Sequence, residues 1–229
     1  KRMTGKVKLA YVVSHPIQYQ APLLRRIAQE PDIDLTVFFG SDFSVRGYKD
    51  EGFGVDVKWD VPLLEGYRHE FLPVLRDNAT VGVATPLNYG ILKRLRGGRG
   101  ESPFDLLWVH GYATVNSLHA MLAAKSLGIP VLLRGDMWLK DRPRSKSKLA
   151  AKALFFHALK NLVDGVLPVG TLNAEYWSHH FGNDLPQFLM PYAVDNDYFQ
   201  QRSREAEQGR GRLLKELNLD PSRPVILFA

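Results

Sequence analysis

Short apolar runs alternate with helical patterns along most of this chain, and that alternation constrains the fold more than any other feature. Val7 to Ser14 (VKLAYVVS) is a continuous apolar run of the buried-strand type. It ends at a polar loop, His15-Pro16-Ile17-Gln18-Tyr19-Gln20. Leu23, Leu24, Ile27 and Ala28 then fall on one side of a helix, with Arg25, Arg26, Gln29 and Glu30 on the other. Pro22 suits the first helical turn, where its missing N–H costs nothing. Asp34 to Gly40 (DLTVFFG) is a second strand. A strand, a helix and a strand in this order imply a parallel pair joined by a right-handed crossover.

Residues 41 to 85 are less regular, rich in Gly, Asp and aromatics, and read as a loop-rich insertion around a short strand near Glu70 to Pro73. The pattern then resumes with a helix at Leu87 to Leu95 and a basic Gly-rich loop at Arg96 to Gly100. Asp105 to His110 is a strand, Val115 to Leu127 a helix stopped by Gly128, and Pro130 to Arg134 a strand. Lys146 to Val163 is a helix, Gly165 to Gly170 a strand, Asn173 to Phe181 a helix, and Gln187 to Val194 a further strand. The expected fold is α/β: a Rossmann-like parallel sheet of about six or seven strands with helices on both faces.

After Asp195 the character changes. Gln200 to Arg212 (QQRSREAEQGRGR) has the composition of a linker or exposed segment. A short helix at Leu213 to Leu217 and the prolines Pro221 and Pro224 lead into an apolar strand run, Val225 to Ala229. The expected division is therefore an N-terminal domain over 1–199 and, over 200–229, a linker with the first strand of a truncated C-terminal domain.

With 229 residues, 45% hydrophobic and 24% charged, the chain has the composition of an ordinary globular protein able to bury a full core. No apolar run approaches the roughly 18 residues of a membrane span, and the basic Lys1 to Lys8 lacks a signal-type core. The absence of cysteine excludes disulfides, thiolate metal sites and a cysteine nucleophile, and suits a cytoplasmic chain. A net charge of +6 favours anionic partners or is simply a basic surface.

In an open parallel sheet, ligands bind outside the carboxyl ends of the strands. The residues just past those ends are Ser14, His15, Gln18 and Tyr19; His110, Gly111 and Tyr112; Arg134, Gly135 and Asp136; and Gly170, Thr171 and Asn173. Polar and aromatic groups converging on one crevice suit a sugar or nucleotide-sugar. Each has a plainer reading: His15 as a turn cap, His110 as a packed histidine, Arg134 with Asp136 as a structural ion pair. His179-His180 reads as surface rather than a metal site, since no third ligand has the needed spacing. The basic stretch Arg142, Arg144, Lys146, Lys148, Lys152 opens a helix whose broad apolar side (Leu154, Phe155, Phe156, Leu159, Leu162, Val163) suggests burial. The competing reading is an amphipathic helix on an anionic membrane. There is no phosphate-binding glycine loop and no aromatic interleaving of a nucleic-acid groove.

Val163 to Gly170 (VDGVLPVG), then Asn173, then Pro191-Tyr192-Ala193-Val194-Asp195 with Phe199, resembles the end of the N-terminal domain in family-4 glycosyltransferases. Leu219-Asp220-Pro221 to Phe228 resembles the start of their second domain. His15-Pro16-Ile17-Gln18-Tyr19 with Pro22-Leu23, Phe53-Gly54, Trp59-Asp60, Pro62-Leu63-Leu64 and Gly66-Tyr67 resembles a bacterial subgroup. The motifs are modest singly; their order covers nearly the whole chain. The resemblance implies half of a GT-B fold that holds the acceptor, a nucleotide-sugar held mainly by a second domain, retention at the anomeric carbon, and no obligatory metal or cofactor. It implies that His110, in Trp108-Val109-His110-Gly111, contacts the transferred sugar. Where relatives carry a Gly-Gly loop this chain has Ser14-His15-Pro16-Ile17-Gln18, and where they carry Asn-Gly it has Tyr192-Ala193. The partners so implied are a nucleotide-sugar and a sugar or lipid-linked acceptor, with peripheral contact to an anionic inner membrane face and no nucleic acid. The 229 residues alone are expected not to transfer sugar. A nucleotide-sugar 2-epimerase on the same fold and a non-catalytic binding module remain open alternatives.

Overall fold

Strand β1, Val7–Val13, divides the structure by its own alternation. Ala10 and Val12 turn to one side, Leu9, Tyr11 and Val13 to the other, and all five are buried. Only a strand covered on both faces has that pattern. The computed structural model describes residues 5–49, 54, 56–57, 59, 61–76, 81–98, 102–140 and 145–226. Outside them lie Phe53, Asp60, Gly100, Arg142, Arg144 and the last residues, 227–229, of the expected terminal strand.

The remaining strands are β2 (Ile33–Phe39), β3 (Tyr48–Lys49), β4 (Asp56–Val57), β5 (Arg68–Phe71), β6 (Val74–Arg76), β7 (Leu87–Asn88), β8 (Leu106–His110), β9 (Val131–Arg134) and β10 (Gly165–Leu167). The helices are α1 (Gln20–Ala28), α2 (Phe43–Arg46), α3 (Ile91–Arg96), α4 (Val115–Ser126), α5 (Lys146–Leu159), α6 (Thr171–Phe181), α7 (Asn196–Glu207) and α8 (Arg210–Glu216). Six strands form one sheet in the order β10-β9-β8-β1-β2-β5, every pair parallel. Numbered along the chain, that is 6-5-4-1-2-3, the doubly wound Rossmann order. The order reverses between β1 and β8, where Leu9 pairs with Leu106 and Val12 with Val109. Of the two small antiparallel pairs, β3 with β4 lies within the insertion, and β6 with β7 joins the insertion to the residues that follow it.

Each face of the sheet carries its own core. On one, Ala10, Val12, Leu107, Val109, Val131, Leu133 and Val166 pack under α3, α4, α5 and α6. On the other, Leu9, Tyr11, Val13, Val37, Phe39 and Trp108 pack under α1 and the Leu64–Tyr67 stretch. α4 starts cleanly because the Thr114 side chain accepts from Ser117 N at 3.1 Å.

Several elements differ from their expected form. The helix expected from Leu87 begins only at Ile91: Leu87–Asn88 is drawn into β7, and Gly90, at φ 84°, turns the chain between them. Gln187 to Val194 is not a full strand. Its first part, Gln187 to Met190, runs beside β10 as a strap, with Phe188 N bonded to Val166 O (3.0 Å) and Met190 N to Pro168 O (2.7 Å). Pro186 and Pro191 bring no N–H to extend the ladder. The apolar side of α5 is buried at Phe156 and Leu159, whereas Leu154 is 72% exposed.

The chain divides into two units, 1–192 and 193–229. In the second, the polar run expected as a linker is helical. Asp195 caps α7 by accepting from Tyr198 N at 3.0 Å, and Gln201 and Arg202 both reach Glu205. Capping and i, i+3 or i, i+4 pairs sustain a helix that buries none of its residues.

Candidate functional site

The crevice at the reversal point begins with cross-strand neighbours. His110 closes β8 and stands in register with Arg134, which closes β9; two residues earlier Trp108 stands beside Leu132. Tyr11 of β1 pairs with Trp108, their ring centroids 4.0 Å apart. Because alternate residues share a face, Tyr11, Trp108, His110 and Arg134 all belong to the α1 side of the sheet.

A buried relay connects Tyr11 to His110. Tyr11 Oη donates to Gln20 Oε1 at 2.7 Å, and Gln20 Nε2 lies 3.1 Å from His110 Nδ1. The second contact, to His110 Nε2 at 3.5 Å, is the weaker. Since the amide nitrogen only donates, Nδ1 must accept, and the ring proton sits on Nε2. Burial, with the Arg134 cation next, lowers the His110 pKa to about 4. The imidazole is thus neutral at pH 7 and offers Nε2–H as a donor. Burial likewise pushes the Tyr11 hydroxyl well up, so it remains a donor.

His15 follows β1, and protonating it would further disfavour a charge on His110. Its Nδ1 is 2.9 Å from Ser14 Oγ, its ring lies 4.5 Å from that of Phe43, and burial lowers its pKa to about 4. Tyr19, 40% exposed, meets the Tyr192 ring edge-on at 5.4 Å. Tyr192 in turn donates to Asp136 Oδ2 at 3.1 Å and lays its ring 5.0 Å from the Arg134 guanidinium carbon. Gln18 is half-buried in the loop between β1 and α1. The chain turns at Gly111, whose φ is 78° and whose N–H donates to Arg134 O at 2.7 Å.

Arg134 and Asp136 do not form the ion pair that their spacing allowed. Asp136 is exposed and takes the Tyr192 hydroxyl, while Arg134 is buried to 1% exposure, and its Nε and Nη2 have no hydrogen-bond partner. Trp108 Nε1 is likewise buried without one.

Two expected site residues lie elsewhere. Tyr112 packs into the opposite core, its ring against Phe155, Phe156 and Trp177 and its hydroxyl 2.7 Å from that of Tyr176. Asn173 is a staple: its Oδ1 accepts from Val169 N (3.1 Å) and Trp177 Nε1 (3.0 Å), and its Nδ2 donates to Met137 O (2.6 Å). With its amide engaged on three sides, it builds the turn rather than presenting to a ligand. Of the histidine pair read as surface, His179 is exposed, whereas His180 is half-buried and stacks on Phe156 at 4.0 Å. Among the described residues no three His, Asp or Glu converge as metal ligands. No helix among them is long and apolar enough to cross a membrane.

Gln20, Tyr11 and Tyr192 were not singled out from the sequence as site residues. A tyrosine inside an otherwise apolar strand was the available signal, because a buried hydroxyl requires a partner.

No family model matches the sequence, and no curated protein does. Among solved structures, a UDP-N-acetylglucosamine 2-epimerase from Rickettsia bellii is similar at 11% identity and a TM-score of 0.48, over 94% of this chain and 52% of that one. The chain thus spans about half the length of that structure.

Proposed function

We propose that this chain is the acceptor-side domain of a retaining glycosyltransferase, moving a sugar from a nucleotide-sugar to an acceptor hydroxyl. The observation that carries the reading is His110, a neutral imidazole whose tautomer is set by Gln20, at the reversal point where doubly wound sheets bind ligands. The order of the family-4 motifs along the sequence supports it.

Glycosyl transfer passes through an oxocarbenium-like state as a diphosphate departs. A fixed Nε2–H donor on His110 would hold a hydroxyl of the donor sugar and resist its rotation as charge develops. With its pKa lowered to about 4, His110 does not serve as an imidazolium acid at neutral pH. His15, Tyr19 and Asp136 border the same crevice and suit an acceptor rich in hydroxyls. The proposed partners are the nucleotide-sugar and a sugar or lipid-linked acceptor, with no resident metal or cofactor. The lysines that open α5 suit peripheral contact with the anionic inner face of a membrane.

A donor screen on the full-length protein, reading nucleoside diphosphate release and the anomeric configuration of the product, tests the reaction directly. His110→Ala should lower kcat by about a hundredfold or more while leaving the acceptor KM near normal and the fold intact. Near-normal kcat in the folded variant would return His110 to a packing role, and an inverted product would overturn retention.

A further inference from the structure

The guanidinium of Arg134 is the least satisfied group in the crevice. It closes β9 with 1% exposure, and among the described residues no carboxylate pairs with it. The two nitrogens left without partners, Nε and Nη2, form one edge of the guanidinium fork, the edge that grips two oxygens of one anion side by side. The guanidinium carbon itself lies over an aromatic face, 5.0 Å from the centre of the Tyr192 ring. A cation–π contact partly compensates the charge but supplies no acceptor to those N–H groups. Asp136, two residues on, is occupied by the Tyr192 hydroxyl instead. Leaving a cation buried with open donors is costly.

We infer that the Nε/Nη2 edge of Arg134 is an oxyanion subsite that takes a carboxylate or phosphoryl group of the substrate, with Tyr192 as its movable cover. Tyr192 is 46% exposed just past the strap beside β10, and its hydroxyl is held by the exposed Asp136. Swinging it aside breaks its hydrogen bond to Asp136, its edge-on contact with Tyr19 and its cation–π contact with Arg134, whose charge the bound anion then meets instead. The subsite lies beside His110 in the β8–β9 register, so the anion would sit next to the proposed sugar site. This inference rests on that crevice being the substrate site.

The test uses the full chain with inorganic phosphate, pyrophosphate, D-glucuronate and, as the uncharged match, D-glucose, by calorimetric titration and thermal melting at low salt. One of the anions should bind and raise Tm with concentration, and glucose should not. A preference for glucuronate points to an acidic acceptor, and one for pyrophosphate to the donor diphosphate. Arg134→Lys, which keeps the charge and loses the fork, should weaken binding at least about tenfold. Arg134→Met should abolish binding while Tm without anion stays level or rises, because an uncompensated buried charge has been removed. Tyr192→Ala should bind the anion more tightly.

No anion response in the wild type, or an equal response in Arg134→Met, overturns the subsite. So does a large fall in Tm for Arg134→Met, which would reveal an internal partner. Weaker binding by Tyr192→Ala overturns the role of Tyr192 as a cover. In the longer protein, sugar transfer that is unchanged by Arg134→Met sinks the subsite and spares the transferase. An Arg134-dependent anion response without any transfer does the reverse.

Discussion

The two faces of the sheet use the same strands and the same alternation, yet they treat buried polar groups in opposite ways. On the helix-rich face, Asn173, Trp177 and the Tyr112–Tyr176 pair bond to one another or to nearby backbone inside an aromatic core of Phe156, Trp177 and Phe181. On the α1 face, the buried groups form a relay, Tyr11 to Gln20 to His110, that ends at a crevice, and Arg134 beside it lacks hydrogen-bond partners on two nitrogens. A polar group whose partners are all internal stabilises the framework. One that ends a relay at an open edge is available to a ligand. Burial alone therefore does not separate structure from function; where the bonds lead does.

The largest effect expected from this contrast is on the helix-rich face. Trp177→Ala removes a fully buried ring stacked on Phe181 and deprives Asn173 of a donor. It should cost about 3–5 kcal/mol of stability, read by urea unfolding. A loss below about 1 kcal/mol would mean that this face is not the rigid half of the molecule.

Acid should weaken the crevice face. His15 and His110, each with a folded pKa of about 4, are buried neutral, whereas the unfolded chain titrates near the ordinary 6.5. The unfolded state thus binds more protons between those values, so stability is complete above about 6.5 and declines as pH falls towards about 4. Urea midpoints at pH 7 and pH 4.5 should differ in that direction, and His110→Gln should reduce the difference. An unchanged slope in His110→Gln would show that His110 is not the buried titrating group.

The smallest expected effect separates positioning from packing. Gln20→Leu keeps the bulk at the start of α1 but leaves the Tyr11 hydroxyl and His110 Nδ1 without the amide that bonds to both. In the proposed transferase, kcat should fall by about tenfold, about 1.4 kcal/mol, with KM little changed, because the His110 tautomer is no longer selected. A variant that changes only stability would reduce Gln20 to a packing residue.

Much of the architecture is legible in the sequence because it follows from local periodicity. The runs at β1, β2, β8 and β9 and the spacing in α1, α4 and α6 locate those elements to within two or three residues. The site was less legible. His15, His110, Arg134 and Asp136 could be named from their place after strands, but Tyr112 went to the opposite core because the positive φ of Gly111 turns the chain there. Asn173 looked like a ligand contact, yet its amide reaches back to Val169 and across to Met137. Gln20 reads from the sequence as part of a loop, since its partners lie 9 and 90 residues away.

The sequence by itself determined that strands and helices alternate, that both sheet faces are covered, and that polar residues follow several strands. Those properties depend on neighbours within a few residues, where side-chain period and turn chemistry act directly. Only the tertiary structure decided which polar residues meet. Register sets His110 beside Arg134, the start of α1 brings Gln20 between Tyr11 and His110, and the strap carries Tyr192 over the guanidinium. These are contacts between segments distant in the chain, and they depend on the sheet order that hydrophobic burial stabilises.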